Sequence, residues 1–201
     1  MLTAALEESK EERMKPRVTI ALVLLSLLAG CVPQQQYQQE LQENQQLLYM
    51  NQTYQNLNKS LVSEVKNDQV EIKQLKNKLQ ITLVNDILFP EGGWEVGPRG
   101  IAVLAKVAPS LQNLNGKEIV VQGYTDNFPV VGDLKARFPT NWELSAARAC
   151  NVVRHLQTQG VDPAILAAEA FGEYHPVASN DTEQGRRKNR RIDIVIEDQG
   201  T

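Results

Sequence analysis

The sequence predicts an α/β fold of the α+β sandwich kind, a mixed sheet with helices covering one face, carried on a long helical or coiled-coil spacer. Strand and helix signals alternate through residues 80–198. Ahead of them, Gln34 to Phe89 contains no Gly and no Pro between the flanking Pro33 and Pro90. A short apolar run near the start completes the pattern. With 201 residues there is room for one ordinary domain plus additional material. Lys plus Arg is 21 against 24 for Asp plus Glu, so a net charge of -3 gives no long-range attraction for nucleic acid. Two Cys and two His are too few for a zinc cage or a disulfide framework, and no cofactor or metal is expected.

In chain order, Lys15 and Arg17 precede the apolar run Val18 to Leu28, and Ala29-Gly30-Cys31 follow it, which is a signal-peptide layout. At 11 residues the run is shorter than the roughly 20 that span a hydrocarbon core. Leu28-Ala29-Gly30-Cys31 resembles the lipobox of bacterial lipoproteins. The resemblance implies that Cys31 becomes the acylated first residue, and Val32 in place of Asp implies transport onward to the outer membrane. Glu7, Glu8, Glu11 and Glu12 are acidic where a signal should be basic, so Met14 is the expected true start and residues 1–30 are extension and signal. With Cys31 lipidated, Cys150 has no partner and is expected reduced and mostly buried.

Residues 31–79 read as the spacer. Residues 34–56 hold ten Gln and no Lys or Arg, and are read as partly ordered. Tyr54, Leu57, Leu61, Val65, Ile72, Leu75 and Leu79 then follow steps of three, four and seven, the seam of a coiled coil through which copies could associate, with Asp68 as a polar seam position. The alternative is a single helix that bends back onto its own domain. Fully helical, residues 34–80 would reach roughly 70 Å.

Residues 80–198 form the predicted domain and 199–201 a tail. Ile81 to Phe89 reads as a strand ending at Pro90-Glu91-Gly92-Gly93. Pro98 opens a helix with Ile101, Leu104, Val107 and Leu111 at helical spacing, and Glu118 to Tyr124 is a second strand. Trp142 to Gln159 is a helix closed by Gly160. A short Ala-rich helix follows Pro163, and Arg191 to Glu197 is the last strand.

Three motifs carry a family resemblance. Gly123-Tyr124-Thr125-Asp126-Asn127, Asn141-Trp142-Glu143-Leu144-Ser145-Ala146-Ala147-Arg148-Ala149 and Gly185-Arg186-Arg187-Lys188-Asn189-Arg190-Arg191 stand in this order. Together they resemble the OmpA-like (OmpA/MotB) peptidoglycan-binding domain, and Phe138 to Ser145 with the insert from Phe128 to Arg137 is closest to its MotB branch. Tyr124 stands where the family has His, a change expected to affect packing of the turn more than ligand chemistry.

The resemblance implies a ligand, the peptide stem of peptidoglycan, whose diaminopimelate ends in an ammonium and a carboxylate on one carbon. Asp126 would accept from the ammonium, and Arg148 would present a fork to the carboxylate that Lys could not. Asn141 stands where it can cap the helix or reach the ligand, with Thr125, Asn127 and Leu144 in the same motif set. Bland readings compete: Asp126 as a turn residue bonding its own backbone, Arg148 as a helix charge paired with Glu143 or Glu169. Arg190 is either a ligand contact or an acid partner, and Arg191 is read as structural. Gly92 and Gly93 fit either backbone approach to a ligand or a plain turn.

An enzyme is not expected. Ser145, His175 and Asp126 could be written as a triad, but Ser145 is better explained at a helix start without a Gly-x-Ser-x-Gly elbow, and His155 lies mid-helix. Nucleic acid is excluded by the acidic balance. The expectation is therefore a periplasmic domain, anchored to the outer membrane through lipid on Cys31, that grips the wall. The alternative is a wall-anchoring lipoprotein subunit of a secretion system or flagellar motor.

Overall fold

The computed structural model describes residues 34–75, 78–114 and 116–200. The signal, the lipobox and Cys31 lie outside the described residues. The chain divides into two units, Met1–Tyr49 and Met50–Thr201. Residues 34–49 are helical and exposed, the first part of α1 (Gln34–Ser60).

From Met50 onward one stripe of α1 is buried: Met50, Thr53 and Leu57, continued by Leu61. Tyr54 and Val65 pack partly against the same core. After α2 (Val62–Lys66) the chain turns through Asp68, whose φ of 52° suits a short polar side chain. Two strands follow, β1 (Val70–Leu75) and β2 (Lys78–Val84), paired antiparallel.

This corrects the predicted seam. Tyr54, Leu57, Leu61 and Val65 pack on the chain's own core, which is the alternative the spacing left open. Ile72, Leu75 and Leu79 lie in strands, and Asp68 is a turn. The reason is the period-two set Val70, Ile72 and Leu79, Ile81, Leu83, in which Ile72 and Leu79 also stand seven residues apart. The folded unit thus begins at Met50, well ahead of residue 80, and the described helix ends at Lys66.

The remaining elements are α3 (Asn85–Leu88), α4 (Pro98–Leu111), β3 (Lys117–Tyr124), α5 (Asp133–Arg137), α6 (Asn141–Thr158), a 3-10 turn (Pro163–Ile165), β4 (Leu166–Gly172), α7 (Glu183–Asn189) and β5 (Arg191–Asp198). The strands form one sheet in the order β1-β2-β5-β3-β4, antiparallel except for β3 with β4. The crossover joining those two parallel strands contains α6, as parallel neighbours require.

Register lines the core up in rows across the sheet: Leu79 with Ile196 and Ile119, and Ile81 with Ile194 and Val121. All six are fully buried. Val103, Leu104, Val107 and Leu111 of α4 and Ala149, Val152 and Leu156 of α6 complete this core. Each buried Leu or Ile contributes about 1.5–3 kcal/mol. By strand alternation Gln122, Tyr124, Arg191 and Asp193 point to the opposite face, so the helices cover one face of a mixed sheet as the sequence predicts.

Three local readings change. The strand predicted over Ile81–Phe89 stops at Val84, because Ile87, Leu88 and Phe89 are all buried and a strand alternates. The helix predicted after Pro163 is one 3-10 turn, capped by Asp162, and the Ala-rich segment becomes β4 by pairing with β3. Tertiary pairing overrides the helix propensity of Ala there. Cys150 is free and exposed rather than buried, on the outer side of α6.

Candidate ligand-binding site

β3 and β4 end side by side, and the loops leaving them meet the start of α6. The Thr125 N–H donates to the Gly172 carbonyl at 2.8 Å. Gly172 N–H donates to Ser145 Oγ at 3.1 Å, and Ser145 donates to the Trp142 carbonyl at 3.0 Å. Ser145 therefore ties α6 to the end of β4. A Cβ on Gly123 would lie 2.3 Å from the Ser145 carbonyl oxygen, so only glycine lets α6 approach β3 this closely. Thr140 and Glu143 form a capping box that fixes where α6 begins.

Asp126 leaves β3 into this corner and is buried. Its Oδ1 accepts from the Phe128 N–H at 3.1 Å, which is the turn reading. Its Oδ2 accepts from Arg190 at 2.7 Å, which is more than a turn needs. Arg190 also donates to Glu183 at 2.7 Å. Burial works against the Arg190 charge, yet the bonds to Glu183 and Asp126 hold its pKa above the ordinary value. Glu183 is held below the carboxylate range by hydrogen bonds from Arg190 and Arg186.

Arg148 projects from α6 into the same corner and is 8% exposed. Neither Glu143 nor Glu169 pairs with it: Glu143 caps α6, and Glu169 accepts from Gln122 at 2.9 Å. Its Nε and Nη2 both donate to the Gly93 carbonyl, at 3.1 and 2.9 Å, and its guanidinium lies 5.4 Å from the Phe89 ring centre. Among the described residues no carboxylate forms an ion pair with it, and three of the five donors of the fork are left over. Burial draws its pKa down to about 10, with Asp126 pulling it back up and Arg190 pushing it further down. A buried cation that meets only a carbonyl and a ring face is poised for an anion.

Asn141 is the first residue of α6 and is buried. Its amide donates to the Phe128 carbonyl at 3.0 Å, to the Asp126 carbonyl at 3.5 Å, and to Glu173. Thr140, not Asn141, is the cap. Thr125 is buried, with its hydroxyl on the Asp126 carbonyl at 2.9 Å, while Asn127 is exposed. Leu144 is buried with Val130 and Phe138 in a small second cluster that seats the 128–138 loop. Gly93 meets Arg148 through its carbonyl, inside a turn closed by its own N–H to Pro90.

Tyr124 stacks on Phe171 at 5.0 Å between ring centres, beneath Arg191 at 3.7 Å. Burial pushes its phenol up to about 12, with the Asp193 charge adding to the shift. Arg191 is buried and bonds Asp193 at 3.1 Å, a structural pair on the far face of the sheet.

The fold thus gathers Thr125, Asp126, Asn141, Arg148 and Arg190, turns Asn127 outward and uses Leu144 for packing. Glu173 and Glu183 were missed. Glu173 follows the C-terminal end of β4, where ligands of parallel strands gather, which is the signal that could have found it. Among the described residues no group of three His, Cys, Asp or Glu could hold a metal ion. The Ser145 hydroxyl meets backbone groups and no histidine, so the triad is not assembled.

Residues 88–190 match the OmpA family. A curated relative, the peptidoglycan-binding protein ArfA of Mycobacterium bovis, is 33% identical over 122 residues, 61% of this chain and 35% of that protein. The chain spans a third to about half the length of the curated relatives it matches. Among solved structures, a putative MotB-like protein from Desulfovibrio vulgaris superposes with a TM-score of 0.69 at 27% identity, covering 78% of this chain and 99% of the other. The cell wall anchor of the T6SS from Pseudomonas aeruginosa superposes with a TM-score of 0.64 at 29% identity, covering 71% and 97%.

Proposed function

The chain belongs to the OmpA family, and from that premise we propose that it is a non-enzymatic anchor that holds peptidoglycan in the periplasm and tethers it to the outer membrane through lipid on Cys31. The observation that carries the reading is the buried guanidinium of Arg148, without a carboxylate partner among the described residues, in the electrostatic reach of Asp126. A diaminopimelate stem ends in an ammonium and a carboxylate a few ångströms apart. The carboxylate takes the spare donors of the Arg148 fork, bidentately and without water, where a charge-assisted bond is strong. The ammonium takes Asp126, whose carboxylate keeps lone pairs beyond those used by Phe128 N–H and Arg190. Arg190 and Glu183 hold Asp126 in position, and Asn141 fixes the carbonyls of residues 126 and 128 around it. The site holds its ligand and does not cut it.

Relatives described as peptidoglycan-binding and as a cell wall anchor support this reading. Single-site affinity need not be high, because many tethered copies on one polymer bind by avidity. Cosedimentation with purified sacculi tests it. The unmodified protein pellets, Asp126→Ala and Arg148→Ala remain in solution, and equal pelleting of all three would remove the basis of the proposal. For the lipid, Cys31→Ser is expected to leave the outer-membrane fraction.

Likeness to a T6SS anchor and to a MotB-like protein favours a second reading, the same grip within a trans-envelope machine. Crosslinking in cells separates them. One stoichiometric machine component supports the subunit, and contacts with wall and self alone support the general tether.

A further inference from the structure

Beside the anchoring corner lies an open cleft of about 210 Å3. Its walls include Lys135, Pro139, Thr140, Trp142, Glu173 and Tyr174. Trp142 and Tyr174 stack on each other, 5.3 Å between ring centres and 25° between planes, yet remain 45% and 61% exposed. Two large rings that stay half in water while holding one another flat present outer faces that the described residues leave uncovered. Around them the rim is polar: the Thr140 hydroxyl, the Lys135 ammonium, and the Glu173 carboxylate, which Asn141 orients. Asn141 lines this cleft and also bonds the Asp126 carbonyl, so cleft and corner share a wall.

We propose that Trp142 and Tyr174 form a platform for a pyranose ring of the wall glycan. A pyranose offers one face of C–H bonds, which lies flat on an aromatic ring, and an edge of hydroxyl and acetamido groups, which suits a carboxylate and an ammonium at the rim. A purely apolar partner would draw the charges of Glu173 and Lys135 out of water without offering them a partner of its own, which disfavours that occupant. The sugar that carries the stem is covalently near the stem, so one wall fragment reaches both sites at once. The inference rests on the anchoring function above and adds a second point of recognition to it.

The test titrates the full chain with two probes, the free stem tripeptide ending in diaminopimelate and the same tripeptide attached to its disaccharide. The disaccharide form is expected to bind about tenfold more tightly, the order of one aromatic stacking contact. Trp142→Ala and Tyr174→Ala each remove that increment and leave the free tripeptide within about twofold of the unmodified protein. Trp142→Tyr keeps the increment, and circular dichroism checks that each variant is folded. Equal binding of the two probes, or an increment that survives both alanine variants, overturns the platform while leaving the anchor standing. If neither probe binds, the anchor falls and the platform with it.

Discussion

Replacing Arg148 with Met separates a cation held ready for a ligand from one that holds the fold together. Burial draws the guanidinium pKa down from its ordinary value to about 10, which at ~1.4 kcal/mol per tenfold in proton affinity is a cost of about 3 kcal/mol to the charged form. That cost is carried in full below about pH 10 and fades only as the pH rises from there toward the ordinary guanidinium range. Against it stand two hydrogen bonds to one carbonyl, worth about 1.5–3 kcal/mol together. Gly93 is only partly buried, so water can serve its carbonyl once the arginine is gone. Met has a similar stem and can lie on the Phe89 ring. The balance is a change of about zero to 1.5 kcal/mol toward greater stability, within about 6 °C in melting temperature. Urea denaturation reads it directly, and a stem titration of the same variant reads the loss of binding. A residue whose charge completed a buried ion pair would instead cost about 3–5 kcal/mol on removal. A loss of that size would refute the reasoning.

Three further outcomes follow from the geometry. Gly123→Ala drives a methyl to 2.3 Å from the Ser145 carbonyl, backbone against backbone, and should destabilise by about 1–3 kcal/mol or more in a urea melt. Ser145→Ala strands the buried Gly172 N–H, at a cost of about 1–3 kcal/mol by the same melt, while zymography shows no sacculus digestion before or after the change. Burial holds the His155 pKa below 6.5, and its Nε2 finds no partner among the described residues. The unfolded chain therefore binds the proton first, stability declines as pH falls below 6.5, and His155→Gln should flatten that decline in melts between pH 7 and 5.

The domain was legible in the sequence wherever local chemistry and tertiary packing agree. Pro98 at the start of α4 and the alternation in β3 and β5 each say locally what the fold requires, whereas the cap expected at Asn141 falls to Thr140. Legibility failed where one pattern fits two periods. Leu79 satisfies both a seven-step from Ile72 and the period-two run with Ile81 and Leu83, and only pairing with β5 decides. Ala167, Ala168 and Ala170 favour a helix until β3 offers them an edge. At the candidate site the motifs name Asp126 and Arg148, but the partners that define them come from elsewhere in the chain. Gly93 lies 55 residues from Arg148, and Arg190 lies 64 from Asp126. No local spacing encodes such contacts.

The central claim is a clamp for two opposite charges, and its sharpest probe changes one of them. Diaminopimelate and lysine differ by the carboxylate at the free end, so matched stem peptides carrying one or the other isolate the Arg148 fork. Calorimetric titration of the full chain should give at least about tenfold preference for the diaminopimelate stem, abolished in Arg148→Ala. Equal affinity for the two stems in the unmodified protein would contradict the clamp.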